Sequence, residues 1–143
     1  MHPTRYAPRP ELGELKPGQP VMVYRSPNDM RRRQPEERAI PAVVVKAARV
    51  WVDLQKAGEE DLPEWSVNRW RMRRDTQDEA TQFSGSNCRF VTLEQHDWEE
   101  TRRWALGFLR ENGIEIRTSG KWHGREVELA DIISAGTDRT DPL

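Results

Sequence analysis

The sequence predicts an α+β protein: a small SH3-like, partly open β-barrel, followed by a long amphipathic helix and a short second helix. Three observations carry that expectation. Short β-branched runs such as Val21-Met22-Val23, Val43-Val44-Val45 and Val50-Trp51-Val52 follow one another and read as strands. Turn residues, among them Lys16-Pro17-Gly18-Gln19 and Ala57-Gly58, separate them. Past Thr92 the apolar spacing changes from every second residue to every third or fourth, the mark of a helix. Strands in succession and then helices give an α+β arrangement. Short twisted strands close most easily into a small barrel, which leaves few unpaired edges.

Residues 1–17, with Pro3, Pro8, Pro10 and Pro17, are expected to form a flexible Pro-rich arm. The barrel is expected over residues 18–91. Its first strand, Pro20–Tyr24, places Val21 and Val23 on one face. A long polar loop follows from Ser26 to Arg38, a length at which loops are often functional. Ala42 to Lys46 and Val50 to Leu54 are separated only by Ala47-Ala48-Arg49, so they form a tight hairpin or one long bent strand. An acidic loop over 55–63 leads to a strand from Trp65 to Arg74. There Trp70 and Met72 share one face and Arg69, Arg71 and Arg73 the other. Val50, Val52, Leu54, Trp70 and Met72 are expected to point inward. Asp75 to Glu79 is a polar turn, and Cys88 to Val91 the last strand.

The helical appendage is expected over residues 92–136, packed on the barrel. Thr92-Leu93-Glu94-Gln95 has the form of a capping box. Acidic residues early and Arg102, Arg103 and Arg110 later suit the helix dipole. Asn112-Gly113 is a stop signal. Leu93, Trp98, Thr101, Trp104, Ala105, Phe108 and Leu109 fall on one side of a helix of about five turns. This helix is expected to lie across one mouth of the barrel, burying Trp98 and Phe108. Ile114 to Ile116 alternates like a short strand, and 118–124 is a glycine-flanked loop. A second helix from Val127 to Ile133 puts Leu129, Ala130, Ile132 and Ile133 on one side and ends at Ala135-Gly136. Residues 137–143 are a polar tail.

Composition narrows the function classes. No apolar run approaches the ~20 residues that span a bilayer. No apolar segment follows the first charges, so a secretory signal is not expected. A cytoplasmic location without membrane contact follows. Cys88 is the only cysteine, which leaves no intrachain disulfide. His2, His96 and His123 lack ligand-like spacing to it or to each other, so neither metal nor cofactor is expected. Cys88 reads as a small buried residue beside Phe90.

Catalysis is not expected. His96 and Asp97 are adjacent on a helix and diverge by about 100°. Glu126 and Glu128, the basis of a metal-dependent hydrolase as a minor alternative, point apart on the assigned helix. There is no Gly-rich phosphate loop. Binding has better support. Residues 1–74 carry 15 Lys/Arg against 10 Asp/Glu, and residues 75–143 carry 8 against 14. Arginine supplies 19 of the 23 basic residues, a bias that binding or a GC-rich genome explains equally well. Trp51 with Arg69, Arg71 and Arg73 forms a candidate face, extended by Lys46 and by Arg31, Arg32 and Arg33 of the long loop. Trp65 and Trp122 are further candidates, because six tryptophans exceed what so small a core needs and Trp and Arg are enriched at interface hot spots. The expected partner is a protein or protein complex, or a second copy of the chain. The alternative is nucleic acid, with arginines on phosphates and Trp51 stacked on a base.

Several segments carry a resemblance. They are Leu15-Lys16-Pro17-Gly18 before a strand, Arg49-Val50-Trp51-Val52, Trp70-Arg71-Met72-Arg73 with Asp75-Thr76-Gln77, Thr92-Leu93-Glu94-Gln95, and Trp122-His123-Gly124-Arg125-Glu126-Val127-Glu128-Leu129. Together they resemble small proteins encoded by phages of actinobacteria, over most of residues 15–133. The resemblance implies no particular activity. It implies a small phage protein, of a kind that often binds host macromolecules. Lys16-Pro17-Gly18-Gln19-Pro20-Val21 and the strand pattern are also similar to SH3-like modules of the KOW and Tudor kind, which bind nucleic acid, ribosomes or RNA polymerase. That likeness is one of fold.

Overall fold

The computed structural model describes residues 3–59, 62–81 and 85–139. Five strands form one antiparallel sheet curled into a half-barrel: β1 (Pro20–Tyr24), β2 (Ala39–Ala47), β3 (Trp51–Lys56), β4 (Arg69–Arg73) and β5 (Arg89–Thr92). Their order is β4-β3-β2-β1-β5. Short helix α1 (Pro27–Met30), the long helix α2 (Leu93–Glu111) and α3 (Glu126–Arg139) complete the chain. The α+β class of the sequence reading holds. None of these helices is long and apolar enough to cross a membrane. The chain divides into two compact units, Glu11–His96 and Met1–Pro10 with Asp97–Leu143.

In the first unit, alternation works as its period requires. Val21, Val23, Ile40, Val44, Val52, Leu54, Trp70, Met72 and Phe90 are buried in a single core, each such side chain worth about 1.5–3 kcal/mol. β2 and β3 form the antiparallel hairpin rather than one bent strand. The register slips at Val45, from Val44 opposite Leu54 to Lys46 opposite Asp53. This β-bulge inserts one residue and so turns Lys46 away from the face that Val44 occupies. β2 starts three residues earlier than expected and includes Pro41. There its missing N–H costs nothing, because Pro41 lies beyond the end of β3 and only its carbonyl is used, by the amide of Ala57 at 3.0 Å.

Beyond β4 the chain doubles back. The Phe90 amide donates to Gln77 O (2.9 Å) and the Glu79 amide to Cys88 O (3.2 Å), so residues 77–79 cover the edge of β5 that β1 leaves free. Gln77 makes this turn at φ 57°, a left-handed conformation that costs a non-glycine residue roughly 1–2 kcal/mol. Its side chain is engaged in return. Gln77 Nε2 donates to Phe90 O at 2.9 Å and to Gln95 Oε1 at 2.8 Å. Gln95 is fully buried and completes the capping box: the Thr92 amide donates to Gln95 Oε1 (3.0 Å) and the Gln95 amide to Thr92 Oγ1 (3.1 Å).

Several expectations are corrected. Val50 is 43% exposed, because it lies in the bend before β3, where alternation has not begun; its carbonyl accepts from Arg74 N. The strand expected from Trp65 starts only at Arg69, since Pro63 to Ser66 closes a turn with the Ser66 amide on Pro63 O at 2.9 Å. The long loop holds α1, capped by Ser26 Oγ on the Asp29 amide, and a 3-10 turn, Pro35–Glu37. Cys88 is half-buried rather than buried. Burial, helped by Glu79, pushes its thiol up to about 11.

In the second unit, Ala105, Leu109 and Ala130 form a small core with Phe108, Ile114, Ile116 and Leu129 packed on it. Trp104 and Ile132 here, and Leu93 at the end of the first unit, all expected on apolar faces, are about half exposed. Ile114 to Ile116 forms no strand. Gly113 sits at φ 72° and donates to Arg110 O, while Ile114 donates to Leu109 O. This is a Schellman cap, which sets Ile114 against Leu109. α3 runs past Gly136 to Arg139, since one glycine costs only about 1 kcal/mol and no proline stops the helix there. From residue 140 the expected tail lies outside the described residues. The N-terminal segment has partners at both ends. Arg5 Nε and the Tyr6 hydroxyl each donate to Asp131 Oδ2 at 2.8 Å, the Trp98 indole donates to Ala7 O at 2.9 Å, and Leu15 is buried in the first unit's core.

Gln95→Ala is expected to lower stability by about 2 kcal/mol in urea unfolding, because it removes the cap and takes one of two acceptors from the half-buried Gln77 amide. Thr92→Ala is expected to cost about 1 kcal/mol. Burial pushes the Asp131 carboxyl up, but the hydrogen bonds from Arg5 and Tyr6 outweigh it and hold the group below its ordinary value. Asp131 therefore contributes stability above the normal carboxylate range, lost as pH falls through its folded pKa. Asp131→Asn is expected to lower the melting temperature at pH 7, and the difference from wild type to close as the pH falls below 3.8.

Candidate binding face

β3 and β4 pair with Asp53 opposite Arg71 and Trp51 opposite Arg73. The bulge brings Lys46 opposite Asp53 from the other side. Lys46, Trp51, Asp53, Arg69, Arg71 and Arg73 thus share the outward surface of β2, β3 and β4, whose alternate residues fill the core.

On this surface Trp51 carries two guanidinium groups, Arg71 at 5.1 Å and Arg73 at 5.8 Å from its ring centroid. Arg71 is 67% exposed and stands 3.9 Å from Asp53 Oδ1. Arg73 makes a two-pronged contact with Asp75, Nε and Nη2 each at 2.9 Å from a carboxylate oxygen. That contact lowers the Asp75 carboxyl to about 2 and raises Arg73. Arg69 donates to Leu62 O at 2.6 Å, bracing the loop before β4. The stripe is therefore arginines stacked on an aromatic ring and tied to acids and a carbonyl of their own chain. Its row across the three strands reads Lys46, Asp53, Arg71, in alternating sign.

The other candidate residues do not join this surface. Trp65 is 85% exposed and lies four residues before Arg69, whereas Trp51 sits opposite Arg73 at the far end of β4. Arg31, Arg32 and Arg33 are exposed in the long loop, with Arg33 3.4 Å from Asp29. Trp122 belongs to the other unit, where Arg125 and Lys121 stand 4.5 and 5.8 Å from its ring.

Sequence reading missed Asp53, whose place in the row depends on strand register, and a buried group around Tyr24. The Tyr24 hydroxyl is hydrogen-bonded to His96 Nδ1, and Arg89 stacks 4.3 Å above its ring. The carboxylates weighed for catalysis are engaged. Glu126 is buried and accepts from Arg102 (3.2 Å) and the Gly124 amide (3.1 Å), and Glu128 pairs with Arg125. Among the described residues no group of three or more His, Cys, Asp or Glu is placed to hold a metal.

No curated protein and no solved structure matches the chain significantly. A family model described as the Phage ProQ C-terminal-like domain matches residues 1–135, consistent with the phage-protein resemblance in the segments from Leu15 to Leu129. The chain therefore belongs to the Phage ProQ C-terminal-like domain family.

Proposed function

We propose that this phage-family chain is a non-catalytic binding protein of the bacterial cytosol that docks on a host protein or protein complex through the Trp51 face. The observation that carries this reading is the pair of carboxylates, Asp53 and Asp75, set among the arginines. A nucleic-acid backbone presents one sign of charge, and its affinity rests on cations free to replace counterions. Here Arg73 is committed to Asp75, Arg69 to a carbonyl and Arg71 to the Trp51 ring. The unit Glu11–His96 carries 14 Lys/Arg and 14 Asp/Glu. A row of alternating charge around a half-buried tryptophan suits a protein surface, where aromatic and Arg anchors dominate and charge pairing sets orientation. Exposed Lys46 and Arg71 support nucleic-acid binding as the second reading.

Affinity purification from a bacterial extract, with and without nuclease, separates the two. The expected result is a protein retained after nuclease and weakened about 30-fold or more by Trp51→Ala with Arg71→Ala, with the melting temperature nearly unchanged. Capture that vanishes with nuclease, or binding of single- or double-stranded probes at low salt that Arg71→Glu abolishes, would replace this reading with the nucleic-acid one.

A further inference from the structure

A strand at the edge of a sheet offers its outward amides and carbonyls to another chain. β5 and β4 are the outermost strands of the half-barrel. Residues 77–79 cover the edge of β5, whereas that of β4 is covered only at its ends. Arg74 N donates to Val50 O and Lys56 N to Asn68 O, both at 2.8 Å. Trp70 and Met72 therefore bond β3, and Arg69, Arg71 and Arg73 turn their backbone groups the other way. Arg73 is engaged there: its amide donates to Asp78 O at 2.7 Å and its carbonyl accepts from Gln77 N at 2.9 Å. The Arg69 amide donates to Ser66 O at 3.1 Å. The Arg69 carbonyl and both backbone groups of Arg71 have no partner among the described residues, and Arg71 is exposed.

We infer that this open stretch of β4 takes on an extended segment of the partner protein as a further strand, with an aspartate or glutamate of that segment paired across from Arg71. The inference rests on the protein-docking reading above and adds how the partner is held and what chemistry it carries. Main-chain bonds to a strand edge give such a complex its affinity, and alternate side chains its specificity. Charge selects the acid. The row Lys46, Asp53, Arg71 alternates in sign toward the edge. On the outward surface Lys46, Arg69, Arg71 and Arg73 outnumber Asp53 and Asp75. Opposite charges facing each other across strands stabilise the pairing, and like charges oppose it. That excludes a second copy: β4 laid antiparallel on its twin about Arg71 sets this guanidinium against its own copy, and Arg69 against Arg73. Nucleic acid brings no row of amides and carbonyls to the edge. The residues flanking the acid fall on the side that Trp70 and Met72 occupy, so the segment alternates acidic with apolar residues.

The probe is a short synthetic peptide alternating valine and glutamate, added to the full chain while amide hydrogen exchange is followed by NMR. The expected result is protection of the Arg71 amide. Lysine in place of glutamate, or N-methylation of the central glutamate, is expected to weaken binding about tenfold or more. Arg71→Pro removes an amide that the fold does not use, at an edge position that tolerates proline, and is expected to lose the peptide with little change in melting temperature. Arg71→Glu keeps the amide and is expected to prefer the lysine peptide. An Arg71 amide left unprotected, or equal binding of the N-methylated peptide, overturns the edge pairing. Protection that rises with protein concentration in the absence of peptide assigns the edge to a second copy and overturns it too. A host protein that Arg71→Pro and Arg71→Glu both retain as wild type does overturns the edge pairing and leaves the docking reading standing. Capture of no protein by the wild-type chain overturns both.

Discussion

A pair of side-chain amides, the half-buried Gln77 and the buried Gln95, holds three parts of the chain to one geometry. Gln95 Oε1 accepts from both the Thr92 amide and Gln77 Nε2, and Gln77 Nε2 also reaches Phe90 O. The first contact starts α2, the second fixes the left-handed turn after β4, and the third ties that turn to β5. An uncompensated amide in such a place costs about 1–3 kcal/mol. The same groups fully paired offset the strain of Gln77 and cover the free edge of β5, which would otherwise be open to pairing with another chain. The turn after β4, closure at β5 and the start of the long helix are thus tied to one another.

Among the described residues, six of the 19 arginines lie over aromatic rings. Guanidinium groups cover Trp51, Trp98, Trp104 and Trp122, and Arg89 covers Tyr24. An exposed cation–π pair is worth only about 0.5–1 kcal/mol, but covering each ring also removes large apolar patches from the surface of a chain too small to bury them. Stacking occupies the flat faces of these arginines, and in Arg73 and Arg125 a carboxylate holds the fork as well, while the Arg71 fork stays exposed.

What was legible in the sequence is what depends on local periodicity and capping chemistry. β1, the inward Trp70 and Met72, the outward arginines, the Thr92–Gln95 box and the stop at Gly113 are all read within a few residues of themselves. The misses are set at a distance. The bulge at Val45 depends on what β3 places opposite it, and the late start of β4 on a turn closed by Pro63 and Ser66. Ile114 and Ile116 alternate as a strand would, yet their partners are Leu109 and the small helical core. Of the candidate face, Trp51 and Arg69, Arg71 and Arg73 came from the two-residue period. The same period puts Lys46 with Val44, and only the bulge carries it to Asp53.

That one-residue insertion decides the character of the surface. Without it Lys46 would point at the core, and the outward row would begin with an acid beside arginine. With it, the row alternates across three strands on a face whose opposite side is filled by Val44, Leu54, Trp70 and Met72. The candidate face and the core are then segregated by the pleat itself, two sides of the same strands. Substitutions on the outer side leave the packed side undisturbed, so the outward chemistry of such a sheet is free to change while the half-barrel beneath it does not.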